Sequence, residues 1–161
     1  MSTTHDELAG VVDLFGALTR AELTAALDEL AFKRGRDVDE AALGSAIESA
    51  IDAYALVEYQ PADSAESAEP LVAVGPTAFP TLPPNAEDLP HILDYDRRSV
   101  DRDRLAEQVS HRLTSDAEAT ADAADAARAA ELLDVSYDIE AWASVEAGAV
   151  RSALEPVLPQ D

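Results

Sequence analysis

Five prolines fall between residues 76 and 90: Pro76, Pro80, Pro83, Pro84 and Pro90. Each removes a backbone donor, fixes its own φ and pushes the preceding residue out of the helical region. Only a short turn, at Leu89 to Leu93, fits such a stretch. The chain therefore divides into an N-terminal part (1–80), a Pro-rich connector (81–98) and a C-terminal part (99–161). The connector is expected to run extended against one of its neighbours. At 161 residues the whole is about the size of one domain, so a core shared by both parts is allowed.

Apolar spacing organises the N-terminal part. Leu8, Val11, Val12, Phe15 and Leu18 recur at helical intervals over residues 6–17. Thr19 with Glu22 forms a capping box that opens a second helix. That helix carries Leu23, Ala26, Leu27, Leu30 and Ala31, and ends at Lys33-Arg34-Gly35. Asp37 or Asp39 caps a third, whose apolar face is Leu43, Ile47, Ala50, Ile51 and Tyr54, with Gly44 marking an expected close crossing. The period then changes. Residues 55–59 and 71–74 read as strands around a polar loop, closed by Gly75-Pro76. Three helices followed by a hairpin is the order of a winged helix-turn-helix. The predicted fold is mainly α: a winged-helix-like unit with a β-hairpin wing, then a helical C-terminal unit.

Ser99 caps a helix bearing Leu105, Val109 and Leu113. Ser115-Asp116-Ala117-Glu118 is another capping box, which predicts a break and a new Ala-rich helix up to Leu133. A further helix is expected from Ser136 or Asp138, through Ile139, Trp142 and Val145 to Leu154. Residues 129–136, with Trp142 following, resemble the helix-turn-helix core of many repressors. Ala-rich sequence makes such matches easy by chance, and no second motif is assigned.

The chain has 33 acidic residues against 11 basic ones, a net charge of −22, and a single Lys beside ten Arg. The acids are spread from Asp6 to Asp161 instead of forming a tail. A uniform excess points to concentrated salt, where a Debye length of about 3 Å at 1 M screens self-repulsion. The charge thus reports the solvent, and excludes only a basic face of the usual size. The absence of Cys excludes a disulfide framework, zinc-thiolate and iron–sulfur sites and a Cys nucleophile. The six glycines never come closer than six residues apart, so no phosphate-cradling loop is present. The N-terminus lacks a basic start and an apolar run, and Leu71 to Val74 is far short of a membrane span. A cytoplasmic protein without a membrane partner is expected.

The third helix of a winged helix-turn-helix should offer Arg, Lys, Asn or Gln to base edges. Here it offers Asp37, Asp39, Glu40, Ser45, Glu48, Ser49 and Asp52. The nearby cations Arg20, Lys33, Arg34 and Arg36 sit at the entrance to the second helix and in the turn after it. They suit phosphate contact, or service to a helix dipole. Arg97, Arg98, Arg102, Arg104 and Arg112 hold half of all the Arg, interleaved with Asp94, Asp96, Asp101, Asp103 and Glu107. Ion pairs tying connector to helix are expected, with a small surface for phosphate or a partner's carboxylates as the alternative. The candidate contact residues are therefore Arg20, Lys33, Arg34, Arg36, Arg97, Arg98 and Arg102. His91 beside Asp94 and Asp96 has metal-ligand chemistry, but acids are so frequent here that this carries no signal. No catalytic, cofactor or metal residue is assigned, and no enzyme is expected.

The run from Glu7 to Arg20, the run from Glu29 to Gly35, and Ser136 to Ala143 resemble a family of haloarchaeal proteins of unknown function. The resemblance extends over nearly the whole chain. It implies no activity, so no functional residue carries over. The expectation is a non-enzymatic interaction or regulatory module that binds protein. The alternative is a DNA-binding transcription regulator of the winged type, with a homodimer formed through the Ala-rich C-terminal helices.

Overall fold

A computed structural model describes residues 4–33, 35, 39–62, 69–84 and 86–159, with the Lys33 side chain outside that description. The chain is mainly helical with one two-stranded antiparallel sheet. It divides into two compact units, Met1–Asp101 and Arg102–Asp161.

In the first unit, α1 (His5–Phe15) starts at a capping box between Thr4 and Glu7. Helix α2 (Arg20–Lys33) starts at the predicted box: the Thr19 N–H donates to Glu22 Oε1 at 2.9 Å, and the Glu22 N–H donates to Thr19 Oγ1 at 3.1 Å. Helix α3 (Glu40–Asp52) is capped by Asp39, whose carboxylate accepts from the Ala42 N–H at 3.2 Å. The other candidate cap, Asp37, lies outside the described residues. Leu8, Val12, Phe15, Leu23, Leu27, Ile47 and Ile51 pack into one buried cluster, which is why these periodic segments hold as helices. Gly44 does not mark a helix crossing, because a side chain there would meet nothing within 4 Å.

Strands β1 (Leu56–Tyr59) and β2 (Leu71–Val74) pair antiparallel, with Leu56 opposite Val74 and Tyr59 opposite Leu71. Residues 63–68 of the loop between them lie outside the description. Leu18, between α1 and α2, adds a one-residue bridge to the far edge of β2. Its N–H donates to the Val72 carbonyl at 3.0 Å, and Val72 returns the bond at 2.6 Å. The predicted order, three helices and then a hairpin, is present.

The Pro-rich stretch belongs to this first unit. It runs back along α1 and includes the short helix α4 (Leu89–Leu93). Thr81 donates its N–H to the Asp6 carbonyl at 2.9 Å, and Arg98 donates its N–H to the Phe15 carbonyl at 2.8 Å. Two glycines let it approach so closely. A Cβ at Gly10 would collide with the Thr81 carbonyl, and one at Gly16, where φ is +81°, with the Arg98 carbonyl. Ala86 and Leu89 close over the same buried cluster.

The second unit contains α5 (Arg102–Ala123), α6 (Ala126–Trp142), α7 (Gly148–Leu154) and a 3₁₀ turn at Glu155–Val157. Two sequence expectations fail here. Helix α5 runs straight through Ser115, and the break falls at Ala124, with φ of 53°, where Asp125 caps α6. Leu105, Val109, Leu113, Ala117 and Thr120 form one buried stripe across the predicted break. A cap contributes about 1 kcal/mol, less than the burial that a break there would disrupt. Helix α6 is also continuous through Val135 and Ser136, both buried. The turn that a second helix-turn-helix needs is therefore missing, and the single helix expected from Ser136 or Asp138 to Leu154 is instead the later half of α6 and then α7, with a break over 143–147.

Candidate functional site

Three of the predicted contact residues, Arg20, Arg97 and Arg98, lie in the first unit, and each is engaged by groups of that unit. Arg20, at the start of α2, places Nε 2.7 Å from Glu48 Oε1 on α3 and Nη2 3.7 Å from Glu58 Oε1 on β1. It joins three elements of the first unit, and the Glu48 hydrogen bond raises its pKa despite partial burial. Arg97 donates to the Asp13 and Leu14 carbonyls at 2.8 and 3.0 Å. A cation on the last carbonyls of α1 completes that helix end. Arg98 forks onto Glu22, at 2.6 and 3.2 Å, and donates to the Ala17 carbonyl at 3.1 Å. Burial pushes the Glu22 carboxyl up, but hydrogen bonds from Arg98 and the Thr19 backbone outweigh it and hold the group below its ordinary value.

The expected ion pairs with the interleaved acids, tying connector to the following helix, are not what Arg97 and Arg98 make: Arg97 holds backbone carbonyls at the end of α1, and Arg98 pairs with Glu22 on α2. Their partners lie 76 to 84 positions away in sequence. Arg34, Arg36 and the Lys33 side chain lie outside the described residues. His91, Asp94 and Asp96 are all exposed, and no group of three or more His, Asp or Glu converges on a metal-sized site among the described residues.

Arg102 belongs to the second unit. It opens α5, and its guanidinium lies over the Trp142 ring, 5.1 Å from the centroid. The two line a cleft of about 480 Å³ in the second unit, with Asp103, Ala106 and Glu107 on α5 and residues 143–145 beyond α6. Sequence periodicity assigned Trp142 to an apolar face. Ile139 fills that role and is fully buried, whereas Trp142, at the helix end, is only half-buried. The chain's single Trp was the available signal, whereas the helix stop after it was not readable in a segment expected to be helical to Leu154.

Arg151 is a second organising cation of this unit. It forks onto Glu140 at 3.0 and 3.1 Å and lies over the exposed Tyr137 ring at 4.5 Å. Glu140 also accepts from the Ala147 N–H at 2.8 Å, just ahead of α7. Arg151 first, and this N–H second, hold Glu140 below its ordinary pKa. Asp138 is shifted the other way, by burial and then by the charge of Asp134.

Two helical units, one edged by a small hairpin, hold most of their described guanidinium groups on their own carboxylates and carbonyls. That defines a mainly helical protein poor in available cations, in which no described helix is long and apolar enough to cross a membrane. The chain belongs to a family of unknown function (DUF7109), whose model matches residues 6–159. No curated protein and no solved structure matches it.

Proposed function

We propose that the protein is a non-enzymatic interaction and regulatory module on a winged-helix-like scaffold, working in a salt-rich cytoplasm with protein as its partner. The scaffold reading is supported by the element order and by the Leu18–Val72 bridge, which adds a short edge between the first two helices to the hairpin. Fold alone does not decide function. The observation that carries the choice of partner is the exposed face of α3, where Ser45, Glu48, Ser49 and Asp52 meet solvent. Phosphates are repelled by such a face, and the cation beside it, Arg20, is engaged by Glu48 and Glu58. An even excess of acid from end to end supports the salt-rich setting.

The DNA-binding reading keeps one favourable feature, the cations Lys33, Arg34 and Arg36 clustered between α2 and α3. They suit phosphates and read no bases. Affinity capture of the full chain at molar salt, with nuclease added to half the sample, separates the two. Protein partners that survive nuclease support the interaction reading. Partners that vanish, with DNA fragments in the untreated half, overturn it. In that case Arg34→Gln with Arg36→Gln should weaken DNA association without changing sequence preference.

A further inference from the structure

The cleft of the second unit takes no part in the reading above. It opens where α5 begins and α6 ends, within one unit. Ala106, nearly fully buried, and the Trp142 ring both line it. Asp103 and Glu107 lie one helical turn apart on α5, so both carboxylates edge the same side. Glu22, Glu48 and Glu140 are each held by an Arg. Asp103 and Glu107 have no such partner among the described residues. With Arg102 counted, the lining carries one guanidinium against two carboxylates.

The chain itself displays what this lining accepts. The face of an indole ring is electron-rich and attracts cations within about 6 Å of its centroid. Arg102 already lies there, at 5.1 Å. That side chain is exposed and its described contact is the ring alone, so little holds it in place. A second guanidinium arriving from outside gains the same ring and two carboxylates that Arg102 leaves unpaired. Guanidinium suits the place better than ammonium, because it is planar, stacks on aromatic faces and forks to carboxylates. Stacking is also short-ranged, so it persists in salt that screens separated charges.

We propose that this cleft takes an arginine side chain of a protein partner, which displaces Arg102 from Trp142 and pairs with Asp103 and Glu107. A half-buried Trp beside unpaired carboxylates is the kind of anchor point on which interface energy concentrates. The proposal rests on the reading that the partner is protein.

Trp142 is the chain's one Trp, so its fluorescence reports the cleft directly. The full chain at molar salt is titrated with a blocked Arg-Arg dipeptide, a blocked Lys-Lys dipeptide, a blocked Glu-Glu dipeptide and tetramethylammonium. A saturable change with the Arg peptide, weaker with the Lys peptide and absent with the Glu peptide, is expected. Arg102→Gln clears the ring and should tighten Arg-peptide binding roughly two- to fivefold. Asp103→Asn with Glu107→Gln should weaken it about tenfold while the helical melt stays unchanged. Should that double variant melt early, the Arg102→Gln titration decides alone. No saturable change in either the natural chain or Arg102→Gln overturns the proposal. So does an equal response to the Glu peptide, or tighter binding of tetramethylammonium, which would make the cleft a small-cation site. Repeating the nuclease-split capture with the Asp103/Glu107 double variant separates the two levels. Partners retained as before would sink the cleft and leave the protein-partner reading standing. DNA captured by the natural chain would sink that reading, while the peptide titration still judges the cleft.

Discussion

The two units carry nearly the same charge density and hold it in different ways. Residues 1–101 contain 20 acidic and 6 basic residues, and residues 102–161 contain 13 and 5. The first unit spends its described cations on long-range ties. Arg20 bridges α2, α3 and β1, while Arg97 and Arg98 fasten the Pro-rich stretch to α1 and α2. The ion pairs of the second unit are shorter in range: Arg128 with Glu131 and Asp116, Arg112 with Asp116, and Arg151 with Glu140. The difference follows from architecture. A hairpin and a strap need fastening to helices far away in sequence, whereas three successive helices meet their neighbours through local turns and one apolar seam.

Salt is the broadest test of that comparison. Lowering it from about 1 M to tens of millimolar lengthens the Debye length from about 3 Å to beyond 10 Å. Helical circular dichroism and the melting temperature should fall. Because charge density is even, amide hydrogen exchange should speed up in both units alike. An unchanged signal and melt would remove the case for a salt-rich setting. Next in size is Gly16→Ala, which meets a positive φ and the Arg98 carbonyl together. It should cost about 3 kcal/mol, with lost exchange protection confined to residues 1–101. Gly44→Ala, in open space, should instead stabilise by up to about 1 kcal/mol.

Smaller effects sharpen the contrast between long and short ties. Arg98→Met removes both bonds of the fork, leaves Glu22 only its Thr19 partner, and takes a donor from the Ala17 carbonyl; it should cost about 1 kcal/mol in a thermal melt at molar salt. Arg151→Met should lower the melting temperature less, since each carboxylate keeps one backbone N–H but only Arg98 also serves a backbone carbonyl. Acid gives the smallest signal. Glu22 has a folded pKa below its unfolded one, so its contribution is present above about pH 4.3 and is lost as pH falls through the folded value. Glu140 behaves the same way, but Asp138, with its raised folded pKa, gains stability over the same descent and offsets it. Between about pH 4.5 and 3 the first unit should therefore lose protection faster than the second. Glu22→Gln should flatten that difference, and an unaltered slope in this variant would count against the Arg98–Glu22 account.

How much was legible in advance follows from the range over which each signal acts. The Thr19 capping box and the Asp39 cap depend on residues three apart, and both were readable. The hairpin was readable from two short apolar runs around a polar loop and from the closing Gly75-Pro76. The Ser115 box was equally readable and did not start a helix, because the Leu105-to-Thr120 stripe needs an unbroken cylinder. The cations show the same divide. The dense mixture of Arg97 and Arg98 with acids suggested ion pairs with those acids, and these are not the contacts they make. Their actual partners were not readable, because Asp13, Leu14 and Glu22 become neighbours only after the strap has crossed Gly10 and Gly16.

From its sequence alone, this chain is determined to be mainly helical, free of cysteine chemistry, interrupted by a hairpin and a proline-rich strap, and acidic from end to end. Those properties are sums or short-range patterns, and they hold wherever the segments end up. Only the tertiary structure decided that the strap belongs to the first unit, that α5 and α6 run unbroken, and that Arg102 leaves its sequence neighbours to stack on Trp142. Each of these turns on which groups packing brings within a few ångströms, and no local pattern encodes a partner dozens of residues away.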